Sequence, residues 1–190
     1  MASALKQAMQ AADSVEIAIV SAIADQARFD IICPLTLTLP EGLDFPQLAL
    51  YQRCGAVEAL RWRVAPGYKI GNGSFWLPIV LTAKGALYGE AIGEDAQTSY
   101  RQPVHFSDAI RQPLYRLGFR VLELIQATPA VYLMQFGIEN QEIVFDRMFP
   151  FPAAPAIASI NTQSPDLFAC HWYCLNQIPI LDLTIKSHWL

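Results

Sequence analysis

Apolar and polar residues recur at two different periods along this chain, and each change of period marks an element. Asp13, Ser14, Val15 and Glu16 have the form of a capping box, with Glu three residues after Asp. Ile17, Val20, Ile23 and Ala24 follow at helical spacing, which predicts a helix over 14–27. Over 29–39 the period drops to two. Leu35, Leu37 and Leu39 alternate with Thr36 and Thr38, the pattern of a half-buried strand. Pro34 has no amide to donate, so it marks a start, an edge or a bulge there. The stretch 45–55 suits a short helix, with Asp44 as its cap and Pro46 among its first positions. From Leu60 the alternation returns. Leu60, Trp62 and Val64 oppose Arg61 and Arg63, which predicts a strand ending at Pro66-Gly67 with Trp62 in the core.

The clearest antiparallel signal runs from 75 to 92. Phe75 to Ala83 is apolar, Lys84-Gly85 is a turn, and Ala86 to Ile92 returns. Ser107-Asp108 can cap a helical turn. Pro113 clashes with a straight helix, so the pattern predicts a break and a second helix beginning at Pro113. Leu114, Leu117, Val121, Leu124 and Ile125 form its buried stripe. Val131 to Phe136 and Glu142 to Phe145 read as two further strands. Pro150, Pro152 and Pro155 read as a rigid connector. Ser164-Pro165-Asp166 is a good helix start and also a common loop, 167–175 fits either state, and 177–185 reads as a late strand. The fold class expected is α+β: a mostly antiparallel sheet of five to seven strands, with two or three helices packed on one face.

Composition narrows this picture. The 190 residues carry 13 Lys and Arg against 17 Asp and Glu, a net charge of −4. Only 16% are charged and 53% are hydrophobic. A usual soluble domain is about 25% charged. Disorder is excluded, because it needs low hydrophobicity and high charge. The length suits one domain over 1–190, with 1–12 as a flexible or peripheral N-terminal arm. The negative balance argues against nucleic acid as a partner. No apolar run approaches a membrane span, and no basic start with an unbroken apolar stretch marks a signal peptide, so the expected location is cytoplasmic. The cysteines at 33, 54, 170 and 174 are then expected to be free, buried thiols.

Candidate chemistry is sparse. Cys170-His171-Trp172-Tyr173-Cys174 places two thiols and an imidazole within five residues. In a helix the two sulfurs sit one turn apart, roughly 6 Å. In a strand they are about 13 Å apart. A closed metal site needs two more ligands, so no metal is expected. His105, Asp108 and Arg111 gather at a helix start, where free amides attract anions. Arg116 and Arg120 extend that positive character at a spacing of four. These five residues form the candidate pocket for a small anionic ligand. Trp172, Tyr173 and Trp189 suit an aromatic interface. No phosphate loop, dinucleotide fingerprint, HExxH or GxSxG occurs, and no cofactor is implied. The resulting expectation is a non-enzymatic protein-interaction, assembly or regulatory factor, with another protein or a second copy as partner. The alternative is a small-molecule-binding domain or enzyme, its anion pocket near His105, Asp108 and Arg111.

Overall fold

The computed structural model describes residues 1–12, 18–19, 29–94 and 99–186. Its centre is a pair of strands that are apolar on both sides. In β2 (Phe75–Thr82) and β6 (Ala130–Glu139) successive side chains point to opposite faces, and both sets are buried. Such strands need cover above and below.

The other strands are β1 (Lys69–Ile70), β3 (Gly85–Tyr88), β4 (Ala91–Glu94), β5 (Tyr100–Val104) and β7 (Glu142–Phe149). The sheet order is β1-β7-β6-β2-β4-β5, with β3 also paired to β2. Every pairing is antiparallel except β1 with β7. A small separate sheet joins β8 (Gln163–Ser164) to β9 (Thr184–Ile185).

One face carries Leu77, Ile79, Tyr132, Met134, Phe136 and Phe145. It is covered by α2 (Leu48–Gly55), α3 (Val57–Val64) and α4 (Asp108–Ile125), through residues such as Leu50, Leu60, Leu117 and Val121. Gly118 lets α4 lie close to β2, since a Cβ there would stand 2.8 Å from Ile79 Cδ1. The opposite face carries Trp76, Val80, Val131 and Leu133. It is covered by α1 (Ala2–Ala12), by a 3-10 helix over Ala154–Ser159 and by α5 (Leu167–Leu175).

The expected two or three helices on one face are therefore corrected. Five α-helices and a 3-10 helix are present among the described residues, and they lie on both faces. One reason is α3. Leu60 and Val64 are four apart and both buried, which is a helical repeat as well as an alternation. Trp62, expected in the core, is 79% exposed. A second reason is α1, a helix docked on α5 with Leu5 buried.

Other local expectations also shift. Residues 29–39 form no ladder. Leu35, Leu37 and Leu39 still pack inward from an extended segment. The break expected at Pro113 is absent, and α4 runs through it as one helix. Of the late strand over 177–185 only Thr184–Ile185 pairs. The helix expected over 14–27 falls outside the described residues, apart from 18–19, which have no regular structure.

Candidate functional site

Helix α4 positions most of the candidate residues, and its sequence sets two unlike shoulders beside its buried stripe. At about 100° per residue, Asp108, Arg111 and Tyr115 fall on one shoulder, while Ala109, Pro113, Arg116 and Arg120 fall on the other. The five residues read from the sequence as one pocket are thus divided between the two sides of the helix.

Glu90 lies near the first shoulder and pairs with His105. His105 Nδ1 lies 3.5 Å from Glu90 Oε2. Arg111 Nη1 lies 3.6 Å from Asp108 Oδ1. The Arg111 guanidinium stands over the Tyr115 ring at 5.9 Å. Contact with Tyr115, then the charges of Asp108 and Glu90, raise the Arg111 pKa above its ordinary value. Tyr115 stacks on Tyr88 with ring centroids 4.4 Å apart. The Arg111 Nε is buried with no hydrogen-bond partner among the described residues. His105 and Asp108 are largely exposed.

On the second shoulder the chain forms an open groove of about 490 Å³. Its walls are the loop after α3 (Ala65, Gly67, Tyr68), the first turns of α4 (Ala109, Ile110, Pro113) and the β6–β7 turn. Pro113 has no N–H, so the Ala109 carbonyl loses its usual partner four residues on. Lys69 and Glu142 also line the groove and pair with each other. Arg120 Nη1 reaches the same loop, 3.6 Å from where a Gly67 Cβ would stand.

A third cluster forms around Asp146, which beside Arg147 reads in the sequence as an ordinary sheet-surface charge. The ladder between β6 and β7 shifts after Gln135↔Arg147 to Phe136↔Phe145, which leaves Asp146 as a bulged residue. The bulge aims its carboxylate beneath α3, and Asp146 is 2% exposed. Arg61 Nη2 donates to Asp146 Oδ1 at 2.6 Å, Arg147 Nε donates to the same oxygen at 3.0 Å, and the Gly73 amide donates to Oδ2 at 3.1 Å. Arg61 also donates to the Asp146 carbonyl, to Gly71 O and to Glu58. Reading Arg61 on a strand hid this cluster. The spacing of Leu60 and Val64 was the available signal for a helix that delivers it.

The cysteine and aromatic candidates lie elsewhere. Cys170 and Cys174 sit one turn apart on α5, whose N-cap Asp166 accepts from the Phe168 and Ala169 amides. Both thiols are buried and free, and burial pushes the Cys174 pKa up to about 12. The intervening His171 is buried, its Nδ1 accepting from the Val131 amide at 3.2 Å. Burial pushes its pKa down to about 4. Among the described residues no group of three or more His, Cys, Asp or Glu is placed to hold a metal ion. Trp172 is 4% exposed, and its indole Nε1 has no partner among the described residues. Tyr173 is half-buried, and Trp189 lies outside the described residues. Among the described residues no helix is long and apolar enough to cross a membrane.

No protein-family model matches the chain, and no curated protein matches it. Solved structures do. The "glycinamide-RNase-transformylase T" of Mycobacterium tuberculosis is 14% identical, with a TM-score of 0.58 over 70% of this chain and 51% of that one. The N5-carboxyaminoimidazole synthetase of Staphylococcus aureus, solved with ADP, is 10% identical, with a TM-score of 0.53 over 62% of this chain and 33% of that one. A single-chain, multi-domain long-chain acyl-CoA carboxylase is 16% identical, with a TM-score of 0.54 over 67% of this chain and 15% of that one. The chain spans about half the length of the first and a third or less of the other two. At these identities the likeness is one of fold. By name these three are a transformylase, a synthetase and a carboxylase, and none is a protein-interaction, assembly or regulatory factor, which runs against that expectation.

Proposed function

We propose that this chain is a small-molecule-binding domain of an enzyme of the synthetase type, taking an anionic, phosphate-bearing ligand along α4. His105, Asp108, Arg111, Arg116 and Arg120 are its binding residues. The observation that carries the reading is the fold shared with synthetases, among them one solved with ADP. Two features of α4 support it. Its first amides are open to an acceptor. Three arginines project from its next three turns.

In this reading the arginines neutralise the ligand's charge, and Asp108 orients Arg111 through their ion pair. The test is calorimetric titration of the whole chain with ADP and with adenosine. ADP is expected to bind saturably, and adenosine at least about tenfold more weakly, because charge-assisted hydrogen bonds to phosphate are lost. Equal binding of the two would remove the anion from the account. A chain that binds neither would remove the nucleotide.

A further inference from the structure

We infer that Asn72 is a site of spontaneous deamidation, and that the Asp146 cluster holds it closed in the folded chain. The inference goes beyond the ligand reading above and does not depend on it. Asn72-Gly73 lies in the glycine-rich stretch between β1 and β2, and Asn72 is exposed. A side-chain amide followed by glycine is prone to ring closure, because the next residue has no Cβ to hinder the approach of its nitrogen. Hydroxide takes the Gly73 amide proton, and the nitrogen bonds to Asn72 Cγ. The Cγ–Nδ2 bond breaks, and that nitrogen leaves as ammonia with a proton returned from water. Water then adds across one of the two imide C–N bonds of Asn72. Opening at one gives aspartate and at the other isoaspartate, with no oxidant or reductant needed.

The fold opposes each part of that closure. The Gly73 N–H donates to Asp146 Oδ2 at 3.1 Å, so hydroxide reaches its proton only when this bond opens. Asp146 is buried, and Arg61 and Arg147 fix its carboxylate through Oδ1. The rest of the loop is pinned as well. Gln135 Nε2 donates to Gly73 O at 2.6 Å, and the Gly71 amide donates to Phe145 O at 3.0 Å. Arg61 Nη2 donates to Gly71 O at 3.3 Å and makes a long contact of 3.5 Å to Asn72 Oδ1. Gly73 also packs on β6 so closely that a Cβ would collide with the Phe136 carbonyl. Turning the Gly73 nitrogen towards Asn72 Cγ therefore breaks its bonds to Asp146 and Gln135 together. Isoaspartate would lengthen the backbone by one methylene beside that contact, where there is no room for it. A single event would thus release the loop and take one donor from Asp146.

The test incubates the full chain in mildly alkaline buffer, both folded and unfolded in guanidinium chloride. Mass spectrometry follows the tryptic peptide 70–84, in which Asn72 is the only side-chain amide, for the gain in mass from amide to acid. Chromatography separates isoaspartate from aspartate. Hydrogen exchange at the Gly73 amide is measured on the folded chain in the same buffer. The unfolded chain is expected to deamidate at Asn72, and the folded chain to do so more slowly by about tenfold or more, since a charge-assisted hydrogen bond must first open. The slowing should agree with the Gly73 protection factor to within about tenfold, because one opening exposes both the proton and the nitrogen. Three results would overturn the inference. One is no mass gain in the unfolded chain, which removes the site. Another is equal rates in the folded and unfolded chains, which removes the closure. The third is deamidation of the folded chain while the Gly73 amide stays protected, which removes Asp146 as its cause.

Discussion

Arg61 holds three segments at once, and its energetic role follows from what each of its nitrogens touches. It ties α3 to the bulge at Asp146 and to the loop at Gly71. Asp146 is buried, so removing its main partner leaves a carboxylate stranded away from water. Arg61→Ala is expected to destabilise the protein by about 3–5 kcal/mol, measured by urea unfolding. A loss under about 1 kcal/mol would mean that Arg147 and the Gly73 amide suffice alone. His171 makes a second prediction, with a sign that can be worked out. Its folded pKa, about 4, lies below the ordinary 6.5. The unfolded chain therefore takes up a proton between those values and the folded chain does not. Stability should be full above pH 6.5 and fall by about 3 kcal/mol as pH approaches 4. His171→Asn keeps an acceptor for the Val131 amide, and its stability should lose this part of the acid limb. An unchanged acid limb in that variant would assign the loss to other groups. The pairing of Arg61 with Asp146 was not visible from sequence. Arg61 and Asp146 are separated by 85 residues, and only the folded sheet brings them together.

At the scale of elements, the legible parts were those whose signals were local. The start of α5 at Asp166 and the two halves of the β6–β7 hairpin each follow from neighbouring residues, while the turn read at Lys84-Gly85 falls one residue earlier, at Ala83-Lys84, because Thr82 pairs with Gly85. The hairpin turn is tighter than its sequence suggests. Asn140 and Gln141 alone make it, with φ of 51° and 66°. The segment 29–39 was misread because its Leu and Thr alternation suits any extended chain lying on an apolar surface, paired or not. Helix α3 was misread because over eight residues two apolar positions four apart satisfy both periods. Pro113 was read as a break, yet packing of Leu114, Leu117 and Val121 keeps α4 continuous through it. Pro113→Ala restores the amide for Ala109 and should raise stability by about 1 kcal/mol or more in thermal unfolding, towards the ~3 kcal/mol cost of an interior proline. A drop instead would show that ring contacts in the groove outweigh the missing hydrogen bond. Gly73 marks another element-level constraint. A Cβ there would stand 2.1 Å from the Phe136 carbonyl carbon, in backbone that cannot swing aside. Gly73→Ala should therefore displace the 71–74 loop from β6 and loosen the Asp146 cluster. Hydrogen exchange at the Gly73 amide reads this directly, and unchanged protection there would contradict it.

The whole molecule is a sheet with helices on both faces, and that architecture sets its prospects as a binding domain. The shortage of charge that suggested a covered protein surface has another explanation in the structure. Central strands buried on both sides need two apolar layers, and α1, α5 and the 3-10 helix supply the second. The candidate site was legible only as a list of residues. His105, Asp108, Arg111, Arg116 and Arg120 cluster in sequence because α4 carries most of them, whereas helical phase and the position of Glu90 decide which side each serves. That decision is tertiary, and the sequence carries no local sign of it. The central claim, an anionic small molecule held along α4, predicts that ligand and stability are linked. A ligand that binds only the folded chain stabilises it by about 2.7 kcal/mol at a hundred times its dissociation constant. The most direct measurement is therefore titration of the whole chain with ADP at low and at moderate salt, followed in parallel by calorimetry and by the thermal midpoint. The account predicts saturable one-to-one binding, weaker at higher salt, with a midpoint that rises with ADP and not with adenosine. No heat and no shift in midpoint at millimolar ADP would contradict it.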